Sequence, residues 1–134
     1  MQYWILKSEP ETYSWHDLEQ DHTTAWTGVR NFQARNNLRA MTVGDLCLFY
    51  HSGKDRQIVG IATVTKAPYP DPTSTDPNWL AVDITVQHKL PTPVTLETIK
   101  AQASLAHIAL VKHSRLSVGP LDAGAYQLIL TLAT

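Results

Sequence analysis

Between Trp26 and Arg39 the chain reads WTGVRNFQARNNLR, which sets three arginines, three asparagines and a glutamine around a tryptophan and a phenylalanine. Each residue type brings a definable chemistry. An aromatic face stacks on a nucleobase for about 1–3 kcal/mol. Asn and Gln present paired donors and acceptors that suit base edges. The planar fork of arginine suits phosphate. Gly28, just before the run, permits a tight entry that brings backbone N–H groups close to a ligand. A solvated helix has no need of the aromatics, and a core helix has no need of so many hydrogen-bonding groups. Their co-occurrence favours a base pocket with a phosphate-contacting rim.

The formal net charge is −1, from 11 Lys and Arg against 12 Asp and Glu. That balance argues against a protein that holds nucleic acid chiefly by neutralising phosphates. The charges are nevertheless segregated. Gly28–Arg56 carries five Lys or Arg against two acids, whereas Ser8–Asp21 carries five acids and no Lys or Arg.

Other chemistries find weaker support. His51, Ser52 and Asp71 supply the residue types of a hydrolase or nuclease centre. Yet no GxSxG elbow, HExxH helix, P-loop or Rossmann fingerprint occurs, and no two histidines show metal-ligand spacing. Cys47 is the only cysteine, so neither an intrachain disulfide nor a thiolate metal cluster can form, and the apolar run LCLFY predicts a buried, inert thiol. No catalytic residue, metal or cofactor is therefore expected. The start MQYWILK is not a cationic leader, and no apolar run is long enough to span a membrane. A single domain over residues 1–134, cytoplasmic and monomeric, is the expectation.

The elements that must position these groups follow from periodicity and caps. A strand is predicted over Gln2–Lys7, then a short helix from Trp15 to Glu19 capped by Ser14, with Asp17 in the capping-box position. A loop leads to a helix over 29–41. On it, Asn31, Arg35 and Arg39 form one polar stripe and Arg30, Gln33 and Asn37 another. Val29, Phe32 and Ala40 share an apolar face, as do Ala34, Leu38 and Met41. Leu46–His51 and Gln57–Thr65 form a hairpin. The proline-rich stretch 68–77 reads as a loop, and Trp79–Leu90 as a strand ended by Pro91 and Pro93. Thr95–Ala106 reads as a helix, Ser117–Pro120 as a turn, and Asp122 caps a last helix. Hairpin-type links in this order point to an α+β fold with a curved antiparallel sheet.

These residues carry a resemblance to EVE-domain proteins of the PUA-like superfamily. The matching stretches are YWILKSEP (3–10), YSW-DL (13–18), W-GVRNFQARNNLR-M (26–41), GDLCLFYHS (44–52), IVGIATV (58–64), YPDPT (69–73), W-AVD (79–83) and RLSV-P (115–120), in order along nearly the whole chain. The resemblance implies a strongly curved mixed β-sheet or small barrel flanked by short helices, with a cavity for a modified nucleobase. EVE domains are similar to YTH domains, whose pattern places Lys7, Ser8, Trp26 and Thr27 in that pocket. Asn31, His51, Ser52, Tyr69 and Asp71 join them on EVE-type motifs and on chemistry, with Tyr50 and Trp79 as further aromatic walls. Arg30, Arg35 and Lys54 would touch flanking phosphates. The partner so implied is DNA or RNA carrying a modified base. A free nucleoside or another flat heterocycle is the alternative ligand, and a hydrolase using His51 the remaining one.

Overall fold

The computed structural model describes residues 1–134. Its elements are β1 (Tyr3–Ser8), α1 (Trp15–Asp21), β2 (Thr23–Trp26), α2 (Phe32–Arg39), β3 (Leu46–His51), β4 (Gln57–Pro70), β5 (Leu80–Thr95), α3 (Leu96–Lys100), a 3-10 turn (Ala103–Leu105), α4 (Ala109–Lys112), β6 (Val118–Leu121) and α5 (Ala123–Leu132). The strands make one six-stranded sheet in the order β2-β5-β4-β3-β1-β6. β1 and β3 are parallel and every other neighbouring pair is antiparallel, so the sheet is mixed. Parallel neighbours need a crossover, and here α1, β2 and α2 lie in the chain between them.

The β4–β5 ribbon shifts register at four places. Each bulge bends the strands and increases their twist, which curls the sheet. β2 and β6 remain at its two edges, so it curls without closing into the small barrel that the resemblance implied.

Alternation along the strands separates two cores. Trp4, Leu6, Cys47 and Phe49 face α1 and α2, while Ile5, Leu48 and Tyr50 face the C-terminal helices. Trp15 crosses the first face directly over Gly60, where an added Cβ would clash with the indole. The Cys47 thiol is fully buried and its pKa is pushed up by desolvation. Buried Asp45 ties the start of β1 to the entry of β3. It accepts from Trp4 Nε1 at 3.0 Å, Gln2 N at 3.1 Å and Thr42 N at 3.0 Å. Burial works against its ionised form, but these bonds outweigh it and lower its pKa.

The capping box of α1 is complete, with Asp17 N donating to Ser14 Oγ and Ser14 N to Asp17 Oδ2. Several boundaries differ from the sequence reading. The second helix begins at Phe32 with Asn31 as its N-cap, so Val29 and Arg30 lie before it, not on it. It buries Ala34 and Leu38, and Phe32 is 66% exposed rather than part of an apolar face. Thr23–Trp26, read as loop, is an edge strand, and most of Ser117–Pro120, read as a turn, belongs to the strand Val118–Leu121 that pairs with β1.

β4 also continues to Pro70, into the predicted loop. β5 runs past Pro91 and Pro93 because both fall where its ladder with β4 is interrupted, between Lys89 and Val94. A proline's missing N–H costs nothing where no ladder bond is made. Between the two, Thr92 N donates to Ala133 O. The predicted helix 95–106 divides into α3 and the 3-10 turn.

Candidate functional site

A cavity of about 680 Å³ opens where β1 and β2 end and the chain enters α2. The end of β1 contributes Lys7 and Ser8; the segment leading to α1 contributes Glu9, Thr12 and Tyr13. The run from Thr24 to Asn31 forms the facing wall, and Ser117 closes one side.

Two aromatic rings shape the interior. Trp26 is only 9% exposed, and its indole is held edge-to-face by Phe49, with centroids 5.6 Å apart and planes at 81°. Tyr13 meets it at 83° and 6.3 Å, making a second wall that the sequence reading did not assign. Its signal was present in the YSW stretch, but nothing in one dimension shows that residue 13 returns to residue 26. Burial, helped by Asp21, pushes the Tyr13 phenol up to about 12. It therefore stays neutral and donates to Asp21 Oδ2 at 2.8 Å.

The polar lining divides into groups spent on the fold and groups left free. Ser8 Oγ donates to Tyr13 O at 2.6 Å. Lys7 Nζ donates to Ser114 O at 2.9 Å, and burial lowers its pKa. Asn31 Oδ1 accepts from Ala34 N at 2.9 Å, which leaves its Nδ2 without a protein partner. The side chains of Thr27, Ser117 and Glu9 make no hydrogen bond within the protein, yet line the cavity. A planar heterocycle with a mixed donor and acceptor edge has complementary groups available on three sides.

Asp71 stands behind this wall and not in it. Its buried carboxylate accepts from Gly28 N at 2.8 Å, Arg30 Nη1 at 2.9 Å, Thr73 N at 2.7 Å and Thr73 Oγ1 at 2.7 Å. Burial would raise its pKa, but these bonds prevail and hold it well below the usual carboxylate range. Gly28 adopts φ +81°, as a tight entry requires. Its N–H, expected to face a ligand, is instead taken by Asp71. The clamp fixes the backbone between Thr27 and Asn31, leaving the Arg30 side chain 40% exposed at the cavity mouth.

Of the expected pocket residues, Lys7, Ser8, Trp26, Thr27 and Asn31 line the cavity, as does Arg30 of the rim. The others lie elsewhere. Tyr50 is one residue out of phase with Phe49, so it enters the opposite core. His51 Nε2 accepts from Trp15 N at 3.0 Å while its Nδ1 faces Asp55 at 3.4 Å, so both ring nitrogens are engaged. Ser52 joins Ser8 only through the backbone, N to O at 3.0 Å.

Tyr69 donates to Asp83. Trp79 lies outside the cavity, stacked on Phe32 at 5.1 Å and 23° with Arg35 over both rings. Arg35 also donates to Asn78 O at 2.9 Å. Lys54 sits in a separate groove with Asp55, Thr95 and Glu97.

Comparison with known proteins identifies the family and the fold. The EVE domain family profile matches residues 2–132. The chain belongs to the EVE-domain family. Thymocyte nuclear protein 1 of Gallus gallus is 36% identical to this EVE domain, over 97% of the chain and 68% of the relative. Among solved structures, protein Atu2648 of Agrobacterium tumefaciens aligns with a TM-score of 0.96 and 40% identity, covering 99% of this chain and 93% of that one. Human THYN1, solved in complex with 5-methylcytosine containing DNA, aligns with a TM-score of 0.93 and 32% identity, covering 99% and 98%. An ASCH protein of Zymomonas mobilis, at 10% identity and a TM-score of 0.62, shares the fold alone. No helix of this EVE domain is long and apolar enough to cross a membrane.

Proposed function

We propose that this EVE domain binds DNA carrying a modified base, 5-methylcytosine above all, and that the base enters the cavity bordered by Trp26 and Tyr13. The observation that carries the reading is the set of polar side chains that no fold contact claims, Thr27, Asn31 Nδ2, Ser117 and Glu9, grouped around two aromatic rings. A base turned out of its stack leaves its hydrogen-bonding edge unpaired, and such groups satisfy it. The cavity falls within the roughly 300–1,000 Å³ range of small-ligand sites. The human relative crystallised with 5-methylcytosine containing DNA supports both the polymer and the modification.

Lys7 and Ser8 shape one side of the cavity, Trp26 stacks on the base, Tyr13, perpendicular to that indole, meets the rim of the base, and Thr27, Asn31 and Ser117 sort the polar edge. A well-buried methyl group contributes about 0.8 kcal/mol, roughly fourfold in affinity. Discrimination is therefore modest unless the methyl group also excludes water from a neighbouring polar contact. In this reading residues 1–134 act as one cytoplasmic binding unit, a reader rather than a catalyst. The engagement of both His51 nitrogens by Trp15 and Asp55 supports that preference.

The test is fluorescence anisotropy with a short oligonucleotide containing cytosine or 5-methylcytosine. Wild type should prefer the methylated form by roughly fourfold or more. Thr27→Val, which removes one hydroxyl at constant shape, should weaken both by about tenfold. Equal affinity of wild type for the two oligonucleotides sinks the proposal.

A further inference from the structure

Beside the base cavity runs a second groove of about 330 Å³, lined by Asn31, Gln33, Lys112, His113, Arg115 and their neighbours, with no carboxylate among them. We propose that this groove holds the phosphodiester backbone of the strand whose base occupies the cavity; the assignment rests on the base-binding reading above.

Three observations converge on it. The first is continuity: Asn31 lines both the cavity and the groove, so a nucleotide seated in one places its sugar–phosphate at the mouth of the other. The second is the availability of charge. Arg30 is paired with Asp71, and Lys54 shares its groove with Asp55 and Glu97. Arg35 is held over Phe32 and Trp79. Lys112 and Arg115, by contrast, are exposed and make no ion pair.

The third is anchoring. The Lys7 ammonium that lines the cavity donates to the carbonyls of Ser114 at 2.9 Å and His113 at 3.5 Å. Lys7 N donates to Ser117 O at 2.9 Å, and Leu116 N to His113 O at 3.0 Å. The end of α4 and the loop after it, which present Lys112 and Arg115, are thus pinned to the strand that ends at the base site. A bare solvated surface would offer the same charges without that registration.

Counterion release separates these alternatives, because each phosphate contact adds a slope of about 0.7–0.9 to the plot of log affinity against log salt. Binding of the 5-methylcytosine oligonucleotide is measured between about 50 and about 200 mM salt for wild type, Lys112→Gln/Arg115→Gln and a control, Lys89→Gln/Lys100→Gln, that removes the same charge elsewhere. If both groove cations meet phosphate, wild type loses roughly seven- to twelvefold more affinity than the groove variant over that range. The groove variant also keeps the wild-type preference for methylated over unmethylated oligonucleotide and the wild-type affinity for free 5-methyl-2′-deoxycytidine. The control keeps the wild-type slope.

A groove variant with the wild-type slope overturns the proposal, as does a control that loses as much slope as the groove variant. A reduced slope in the groove variant, together with no methyl preference in wild type, supports the phosphate groove and overturns the base reading alone.

Discussion

Asp71 shapes the candidate site without lining it. Its four protein hydrogen-bond donors hold Gly28 and Arg30 in place, and so set where Thr27 and Asn31 present their free groups. Replacing it with Asn removes a buried charge that Arg30 answers, and should cost about 1.5–3 kcal/mol in denaturant unfolding. The pH dependence has a definite sign. The folded carboxyl ionises at lower pH than an unfolded aspartate near 3.9. Its stabilisation is therefore complete above that value and is lost as pH falls below about 4 toward the folded pKa. The stability gap between wild type and Asp71→Asn should be flat above about pH 5 and narrow below about pH 4; a gap that widens on acidification contradicts the clamp. The motif YPDPT marked Asp71, but its role as a support and not a ligand contact depends on burial, which one residue's identity does not reveal.

Among the elements, α2 is the one whose boundary decides function. Read as a helix from residue 29, it would present Asn31 as one stripe among others; starting at Phe32, it makes Asn31 an N-cap with one side-chain atom committed and one free. Asn31→Asp keeps an equally good cap, so thermal stability should change by less than about 0.5 kcal/mol. The free donor becomes an acceptor, and oligonucleotide affinity should fall by about tenfold or more. Loss of stability equal to the loss of binding would assign Asn31 a structural role only.

β3 was legible to the residue because its first five positions, Leu46 to Tyr50, are all apolar or aromatic. β2 and β6 were not, since four-residue edge strands carry too little alternation to register and are made by their partners. Pro91 and Pro93 misled for a related reason: a bulge excused them from the ladder, and bulges leave no mark in the local sequence.

The two cores meet at the sheet, and the whole molecule depends on how closely α1 approaches it. At Gly60 the approach leaves no room for a side chain beneath Trp15. Gly60→Ala should destabilise by about 1–3 kcal/mol through overpacking, read as a lower denaturant midpoint at constant m-value. The strain passes from Trp15 to Phe49 at 5.5 Å and on to Trp26 at 5.6 Å, so the base affinity should weaken with it. An unchanged midpoint would mean that the indole has room to tilt.

At this scale the mixed α+β class and the curl were readable from hairpin spacing and the family motifs. The open edges were not, because whether a curled sheet closes depends on the accumulated twist of every bulge.

The lone thiol, at the second position of β3, gives the molecule a clock of its own. Because Cys47 lies fully inside and its ionisation is suppressed, an alkylating reagent meets it only during excursions that part the sheet from its helices. With reclosing fast, the rate of covalent capture counts those excursions and yields their free energy. Bound DNA that settles on the closed form would slow the count in proportion to occupancy, so a mass spectrometer could follow both breathing and ligand engagement through the native thiol alone.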